Sequence, residues 1–311
     1  MSKILIVTPG AARLGALLGA LPDGVTLACA ETAQDALAHA ADTTVLVAMP
    51  PSLTAELVAA MPRLQWLQAL TSGIDALARV PLDPAVVVTS ARGIHGPQIS
   101  ELIFLYMLAF ARDLRGVLTR QAAHSWRPSA QPLLSGKRLV ILGIGATSEA
   151  LAARAQAFGM HVTGVSGSRT AAPGFDRVLP MTQLEQAAGE ADFFVVLTPL
   201  SSSTEGIVDA SVIGALPAEA VLINLARGKI IDEAALIEAL QQRRIGGAGL
   251  DVFATEPLPA DSPLWTLDNV ILTPHVGGWS DVFLDQLAPV VADNIARWFA
   301  KPRQPLRNLA R

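Results

Sequence analysis

Three polar side chains in the second half of the sequence, Arg227, Glu256 and His275, follow short apolar runs that are typical of buried strands. Because ligands bind at the carboxyl ends of strands in open α/β sheets, we expect all three along one sheet edge. A guanidinium can bind a carboxylate through two parallel hydrogen bonds and polarise a carbonyl. An imidazole can hold a proton near neutral pH, and a neighbouring carboxylate orients the ring and raises its pKa. The set predicts reduction of a 2-keto acid, in which Arg227 binds substrate, His275 donates the proton and Glu256 tunes His275.

A glycine-rich loop precedes these residues, between a predicted strand at 138–142 and a predicted helix at 149–158. In Gly143-Ile-Gly145, the first glycine permits a tight turn and the second lets the backbone approach a pyrophosphate. The helix N-terminus, at Ala146 and Thr147, supplies amide donors and a positive dipole end. Ser148 stands where a third glycine is usual, so the motif taken alone could equally be an ordinary turn. The polar residues at the later strand ends favour a dinucleotide site.

The segment after the next predicted strand, Ser166-Gly-Ser168-Arg169-Thr170, bears on the choice of cofactor. An NAD site commonly offers Asp or Glu there to the adenine ribose, and this segment has no carboxylate. Arg169 can instead pair with a 2′-phosphate, with Ser166 and Ser168 as hydrogen-bonding neighbours. The segment therefore predicts a preference for NADP(H), with NAD(H) possible. The alternative is that Arg169 is a solvated surface cation.

The elements that must position these residues alternate along the chain, which predicts an α/β fold. In the first third, strands are predicted at 3–7, 44–49, 64–69 and 86–89, with helices at 33–40 and 53–60. A helix at Pro97–Arg115 and an irregular connector at Arg127–Gly136 follow. Six further strands, as a doubly wound dinucleotide fold requires, are predicted at 138–142, 162–165, 193–197, 221–225, 249–252 and 270–273. A last amphipathic helix is predicted at Asp281–Phe299.

The composition limits the remaining possibilities. At 311 residues the chain is long enough for two domains, and its formal net charge of −4 includes no basic stripe for nucleic acid. Cys29 is the only cysteine, which excludes an internal disulfide and a cysteine-based zinc site and fits a reducing compartment. No metal site is predicted. The apolar runs are too short for a signal sequence or a membrane span, so we expect a cytoplasmic protein without membrane contacts.

Taken together, the motifs resemble the D-2-hydroxyacid dehydrogenase family over essentially the whole chain. The residues that carry the resemblance are Gly143-Ile-Gly145 with Ala157–Met160, Asn224–Gly228 with Ile231-Asp232, Gly249–Phe253 with Glu256–Leu258, and Thr273-Pro-His275. The resemblance implies the roles already given to Arg227, Glu256 and His275, and it places Ala226 and Asp251 near the nicotinamide. It also implies that backbone amides of Ser72, Gly73 and Ile74 face the substrate carboxylate.

The resemblance further implies a Rossmann-type cofactor domain, residues 97–280, inserted in a smaller flavodoxin-like substrate domain formed by residues 1–96 and a C-terminal helix at 281–311. The helix at Pro97–Arg115 would contribute to a two-fold dimer contact, so a homodimer is expected. The predicted cofactor-binding residues are Gly143, Gly145, Ala146, Thr147, Ser166, Ser168, Arg169, Thr198, Pro199, Thr204, Leu225, Ala226, Asp251, Gly277 and Gly278. The predicted substrate-binding residues are Ser72, Gly73, Ile74, Arg227, His275 and Trp279.

The chain departs from the family pattern at two places. Ser90 stands where many relatives have Asn, and the acidic ribose residue is replaced, which makes the chain similar to the NADPH-preferring glyoxylate/hydroxypyruvate reductase branch. Trp279 could wall the substrate pocket or simply pack.

Other classes fit less well. The short-chain reductases need a Tyr-x-x-x-Lys pair, but Tyr106, the only tyrosine, is followed four residues later by Phe110. Formate dehydrogenases use a longer chain and further polar residues. The alternative from outside enzymology is a nucleotide-sensing corepressor that binds the cofactor without significant turnover.

Overall fold

The computed structural model describes residues 2–311, which divide into two compact units. The first unit contains the residues up to Ile94 together with Ser280–Arg311, and the second is His95–Trp279. In the sequence, the second unit is therefore an insertion within the first. No helix of residues 2–311 is both long and apolar enough to cross a bilayer.

The first unit is built on a five-stranded parallel sheet with strand order β2-β1-β3-β4-β5, which is the flavodoxin-like order. Its strands are β1 (Ser2–Val7), β2 (Val25–Ala30), β3 (Val45–Ala48), β4 (Trp66–Ala69) and β5 (Val87–Thr89), and its helices are α1 (Ala11–Leu17), α2 (Ala33–Ala40), α3 (Ala55–Ala59) and α10 (Phe283–Phe299). Alternate residues of β1 are buried on opposite faces. Ile4 and Ile6 pack with α1 and α10, whereas Leu5 and Val7 pack with α2 and α3.

A buried polar chain ties the last helix to this sheet. The amide nitrogen of Asn294 on α10 donates to Gln68 Oε1 at 2.8 Å, and the hydroxyl of Thr89 donates to the same oxygen at 2.8 Å. Trp66 Nε1 in turn donates to Thr89 Oγ1 at 2.8 Å. Because buried polar groups are costly when unpaired, this chain helps to specify where α10 docks within the first unit.

The second unit is a doubly wound, seven-stranded parallel sheet with order β12-β11-β10-β9-β6-β7-β8. Its strands are β6 (Arg138–Leu142), β7 (His161–Ser166), β8 (Arg177–Pro180), β9 (Phe193–Val196), β10 (Val221–Asn224), β11 (Gly247–Leu250) and β12 (Val270–Leu272). Its helices are α4 (Gly96–Ala111), α5 (Leu114–Ala122), α6 (Ala146–Ala157), α7 (Leu184–Ala188), α8 (Ala210–Ala215) and α9 (Glu233–Gln241). Helices α4 and α6 pack on one face, and α8 and α9 pack on the other.

The two-sheet α/β fold predicted from the sequence is confirmed, and the details that differ have physical causes. Strands β2 and β8 were not predicted. Both lie at sheet edges, where half-exposed side chains weaken the apolar signal.

The prediction of one helix over Pro97–Arg115 was wrong at its end. Helix α4 stops at Ala111, and Asp113 adopts a left-handed conformation with φ 46°. The Asp113 carboxylate then accepts a hydrogen bond from the Gly116 amide and so caps α5. The final helix begins at Phe283, two residues later than predicted. The irregular connector at Arg127–Gly136 is confirmed.

Candidate active site

The loop between β6 and α6 has the shape that a pyrophosphate site requires. Gly143 has φ 96°, and a Cβ built on it would lie 2.5 Å from the Thr198 amide nitrogen, so no side chain fits there. A Cβ built on Gly145 would meet no atom within 4 Å, which leaves open space at the N-terminus of α6. Ser148, in the place of the third glycine, is buried and donates to the Gly143 carbonyl at 2.6 Å. The loop thus fits a dinucleotide despite its incomplete motif.

The turn after β7 holds the residues predicted to read the adenine ribose. Ser166 is buried, and its Oγ accepts hydrogen bonds from the backbone amides of Ser168 at 3.3 Å and Arg169 at 3.1 Å. The guanidinium of Arg169 is paired with Glu149 of α6, with Nη1 2.5 Å from Oε1. A 2′-phosphate at Arg169 would therefore compete with this carboxylate. The sequence argument missed Glu149, because its first-turn position on α6 is equally explained by the helix dipole.

The loop after β10 carries Arg227 and is shaped by two neighbours. The buried Asn224 side chain accepts from the Ala226 amide and donates to the Arg227 carbonyl, both at 3.0 Å. A Cβ on Gly228 would lie only 1.8 Å from the carbonyl carbon of Phe253, so the backbone carrying Arg227 packs directly on the segment that leads to Glu256. Arg227 Nη1 also donates to the Ala226 carbonyl at 2.6 Å.

Glu256 and His275 lie in direct contact, as the sequence predicted. One carboxylate oxygen of Glu256 is 2.7 Å from His275 Nδ1, and the other accepts the Phe253 amide at 3.0 Å. Because a carboxylate only accepts, Nδ1 carries the proton of this bond and Nε2 is the nitrogen left for proton transfer. His275 adopts a left-handed conformation with φ 55°, which is uncommon for residues other than glycine, although histidine adopts it more often than most, and which clusters at functional sites.

The contacts between these groups perturb both titrating side chains. The hydrogen bond to Glu256 raises the pKa of His275, outweighing burial and the positive charge of Arg227, which both act to lower it. Burial acts to raise the pKa of Glu256, but its hydrogen bonds from His275 and the Phe253 amide, together with the charges of His275 and Arg227, bring that pKa below the ordinary value. Arg227 is thus electrostatically coupled to both, and the three predicted catalytic residues form one cluster.

Asp251, at the end of β11, anchors the segment that follows His275. It is 2% exposed, and its two carboxylate oxygens accept the amides of Val276 at 2.9 Å and Gly277 at 2.8 Å. A Cβ on Gly277 would approach an Asp251 oxygen to 2.9 Å, and one on Gly278 would approach the His95 ring to 3.3 Å. Glycines at these two positions let the segment pack closely against Asp251 and His95.

The other predicted residues are placed as follows. Thr198 and Pro199 follow β9, and Thr204 donates to the Pro199 carbonyl at 2.6 Å, so Thr204 organises that loop. Leu225 and Ala226 are buried after β10, and Trp279 is half exposed. Ser72, Gly73 and Ile74 belong to the first unit, in the loop after β4, where the Thr71 hydroxyl donates to the Gly73 carbonyl at 2.5 Å. The sequence also singled out Ser90, whose hydroxyl is buried without a hydrogen-bond partner within residues 2–311.

The second unit therefore has the fold and the glycine loop of a nicotinamide dinucleotide-binding domain, with an Arg–Glu–His cluster at the carboxyl ends of its strands. Residues 104–277 match the family model described as "D-isomer specific 2-hydroxyacid dehydrogenase, NAD binding domain". The chain belongs to the D-isomer specific 2-hydroxyacid dehydrogenase family and is an NAD(P)-dependent oxidoreductase.

Individual relatives agree with this assignment. The chain is 30% identical to a glyoxylate reductase of Korarchaeum cryptofilum (strain OPF8) over 252 residues, which cover 78% of this chain and 75% of the relative. A solved family protein from Aeromonas salmonicida subsp. salmonicida A449 has a TM-score of 0.93 and 32% identity, covering 100% of this chain and 99% of that one. An NADPH-dependent glyoxylate/hydroxypyruvate reductase from Sinorhizobium meliloti, solved with NADP and sulfate, has a TM-score of 0.86 and 27% identity, with coverage of 100% and 98%.

Proposed function

We propose that this enzyme reduces a small 2-keto acid, such as glyoxylate or hydroxypyruvate, to the D-2-hydroxy acid. The observation that carries the proposal is the 2.7 Å contact between Glu256 and His275 Nδ1, with Arg227 electrostatically coupled to both. A keto acid presents a carboxylate and a carbonyl to a cation, and its reduction needs a proton donor for the developing alkoxide. The cluster contains one residue of each type.

In this proposal the three residues have different tasks. Arg227 binds the substrate carboxylate and polarises the carbonyl, and His275 donates a proton from Nε2. Glu256 keeps the His275 ring oriented and favours its protonated form. The nicotinamide, when bound, supplies the hydride. Backbone amides of the Ser72-Gly73-Ile74 loop are proposed, on the family resemblance, to bind the substrate carboxylate, and Trp279 is proposed to wall the pocket.

The cofactor would be held by the second unit. We assign the pyrophosphate to the amides of Gly145, Ala146 and Thr147, because Gly145 faces open space at the helix N-terminus. Thr198, Pro199, Thr204, Leu225, Ala226, Asp251, Gly277 and Gly278 are proposed to line the rest of the site.

NADP(H) is the proposed preferred cofactor, with NAD(H) possible. In support, Arg169 follows β7 where a ribose-binding carboxylate is usual, and the Sinorhizobium relative is NADPH-dependent. Ser166 already engages two backbone amides, so we assign it the shape of the turn rather than a direct phosphate contact. Glu149 would moderate the preference, because it must release Arg169 for the guanidinium to bind a phosphate.

We further propose a homodimer that acts in the cytoplasm. Exposed apolar side chains lie on α4, on α5 and shortly after α5, at Leu105, Leu108, Leu114, Val117, Leu118 and Trp126. Exposed apolar side chains on neighbouring elements favour a protein contact, and a second copy is the partner that the family resemblance implies. The lone Cys29 fits a reducing compartment.

A panel of keto acids tests the proposed reaction. Purified protein with NADPH should oxidise the cofactor in the presence of glyoxylate, hydroxypyruvate or phenylpyruvate, and chiral analysis of the hydroxypyruvate and phenylpyruvate products should give the D isomer. No turnover with any 2-keto acid, alongside tight cofactor binding, would favour a nucleotide-sensing corepressor instead.

A further inference from the structure

Two hydrogen bonds link a tyrosine of α4, through a threonine hydroxyl, to a carboxylate at the end of β11. The hydroxyl of Tyr106, on the fully buried face of α4, lies 2.5 Å from Thr273 Oγ1, and Thr273 Oγ1 lies 2.5 Å from Asp251 Oδ1. A Cβ on Gly249 would come within 2.7 Å of the Tyr106 ring, so this glycine allows the ring to lie against β11. The hydrogen bond between Tyr106 and Thr273 joins residues that are 167 positions apart in the sequence.

The direction of the two hydrogen bonds follows from counting protons. The Thr273 hydroxyl has one proton, which it donates to the Asp251 carboxylate, so it must accept from Tyr106. Burial raises the pKa of the Tyr106 phenol, despite an opposing contribution from its bond to Thr273, and the phenol therefore keeps its proton. Tyr106 therefore donates its proton to Thr273, and Thr273 donates its own to Asp251.

Asp251, at the other end, holds three consecutive residues. Its carbonyl accepts the His275 amide at 2.8 Å, and its carboxylate accepts the amides of Val276 and Gly277. These bonds constrain the backbone at the point where His275 has its left-handed conformation. A carboxylate with fewer donors could rotate, and the amides that it holds would then lose their alignment.

We propose that Tyr106, acting through Thr273 and Asp251, positions the His275–Gly277 segment for turnover without contacting the substrate. Tyr106 is thus a positioning residue rather than a catalytic one. The consequence for turnover rests on the role proposed for His275, whereas the effect on the segment itself depends only on the hydrogen bonds described here.

Kinetics test the consequence for turnover. Y106F and T273V each remove one hydroxyl with little change in volume, and each should lower kcat about three- to tenfold. T273S keeps the hydroxyl and should retain wild-type kcat. The Y106F/T273V double variant should be no worse than the poorer single variant, because the two hydroxyls act in series. Losses that multiply, or a wild-type kcat in both single variants, would overturn the positioning role.

The matched control is T163V, which removes a buried hydroxyl elsewhere in the same unit, where Thr163 accepts a hydrogen bond from Arg177. Its kcat should equal that of the wild type. A loss in T163V as large as in T273V would show that any buried hydroxyl matters equally, and would also overturn the proposal.

Hydrogen–deuterium exchange tests the segment without any turnover. Amides in a peptide spanning residues 275–277 should exchange about fivefold faster in T273V and Y106F than in the wild type, with the glycine loop at 143–147 unchanged. Unchanged exchange at 275–277 would overturn the proposal even if kcat fell. If the wild type reduces no keto acid, the proposed function fails while this exchange result still decides the role of Tyr106. Should Y106F not fold, T273V alone supplies both measurements.

Discussion

Arg169 and Glu149 together offer a quantitative test of how the enzyme chooses its cofactor. A charge-assisted hydrogen bond from a guanidinium to a phosphate contributes about 1.5–3 kcal/mol. The Arg169 side chain is 38% exposed, so water weakens this hydrogen bond. Arg169 must also first leave its ion pair with Glu149, which is partly exposed and contributes at most about 1 kcal/mol. The net contribution to binding of NADPH is then about 1–2 kcal/mol, or roughly 5- to 30-fold in the dissociation constant.

The two residues should therefore respond in opposite directions. R169A should weaken NADPH binding by that factor and leave NADH binding nearly unchanged, because NADH lacks the 2′-phosphate. E149Q removes the competing charge but keeps the side-chain shape, and should tighten NADPH binding about two- to fivefold. Adding E149Q to R169A should have little further effect, since the guanidinium is already absent.

Cofactor quenching of tryptophan fluorescence, titrated at fixed ionic strength, measures the dissociation constants of NADPH and NADH for the wild type and the three variants. R154A is the matched control, because Arg154 lies on the same helix as Glu149 and its guanidinium bonds only to the Ala150 carbonyl among the contacts described for residues 2–311. Equal losses of NADPH and NADH affinity in R169A would contradict phosphate recognition. Weaker NADPH binding in E149Q would contradict the competition between the carboxylate and the phosphate.

Three further outcomes are expected. Because Glu256 raises the pKa of His275 and reduction uses protonated His275, E256Q should move the alkaline fall of kcat to lower pH; an unmoved profile would count against the pair. G228A should destabilise the protein by about 3 kcal/mol in thermal unfolding, because its Cβ would collide with Phe253. G214A, inside α8, faces open space and should stabilise the protein slightly, by up to about 1 kcal/mol; equal melting curves for the two variants would refute the collision. Lysine at both Leu105 and Leu118 should convert the proposed dimer to a monomer in sedimentation velocity, and a monomeric wild type would contradict the dimer.

The sequence was sufficient to predict a strand and the site residue after it where an apolar run is followed directly by a side chain that the reaction needs. Strand β10, which precedes Arg227, is central and buried, so its apolar run stands out. The edge strand β12, which precedes His275, is also an uninterrupted apolar run, and the polar residue that follows each strand marks the ligand-binding edge. The contact between Glu256 and His275 was predictable because both residue types are needed by the same reaction.

The sequence was insufficient to predict contacts between residues that are distant in the sequence, and features whose local sequence pattern has more than one explanation. The chain from Tyr106 to Thr273 depends on how α4 docks beside β11 and β12, which no local pattern specifies. Glu149 is an ordinary helix-start acid until the fold brings it to Arg169. The end of α4 was missed because the left-handed residue is Asp113 rather than a glycine, although aspartate tolerates that conformation better than most residues.

Replacing His275 by asparagine offers a decisive measurement of the proposed reaction, because asparagine tolerates the left-handed backbone at this position but cannot donate a proton as imidazolium does. Steady-state reduction of hydroxypyruvate and cofactor binding by fluorescence quenching would be measured on the same samples of the wild type and H275N. We expect H275N to lose about 10²- to 10⁴-fold in kcat and to bind NADPH like the wild type. An H275N enzyme that retains most of its turnover would contradict the role of His275 as the proton donor.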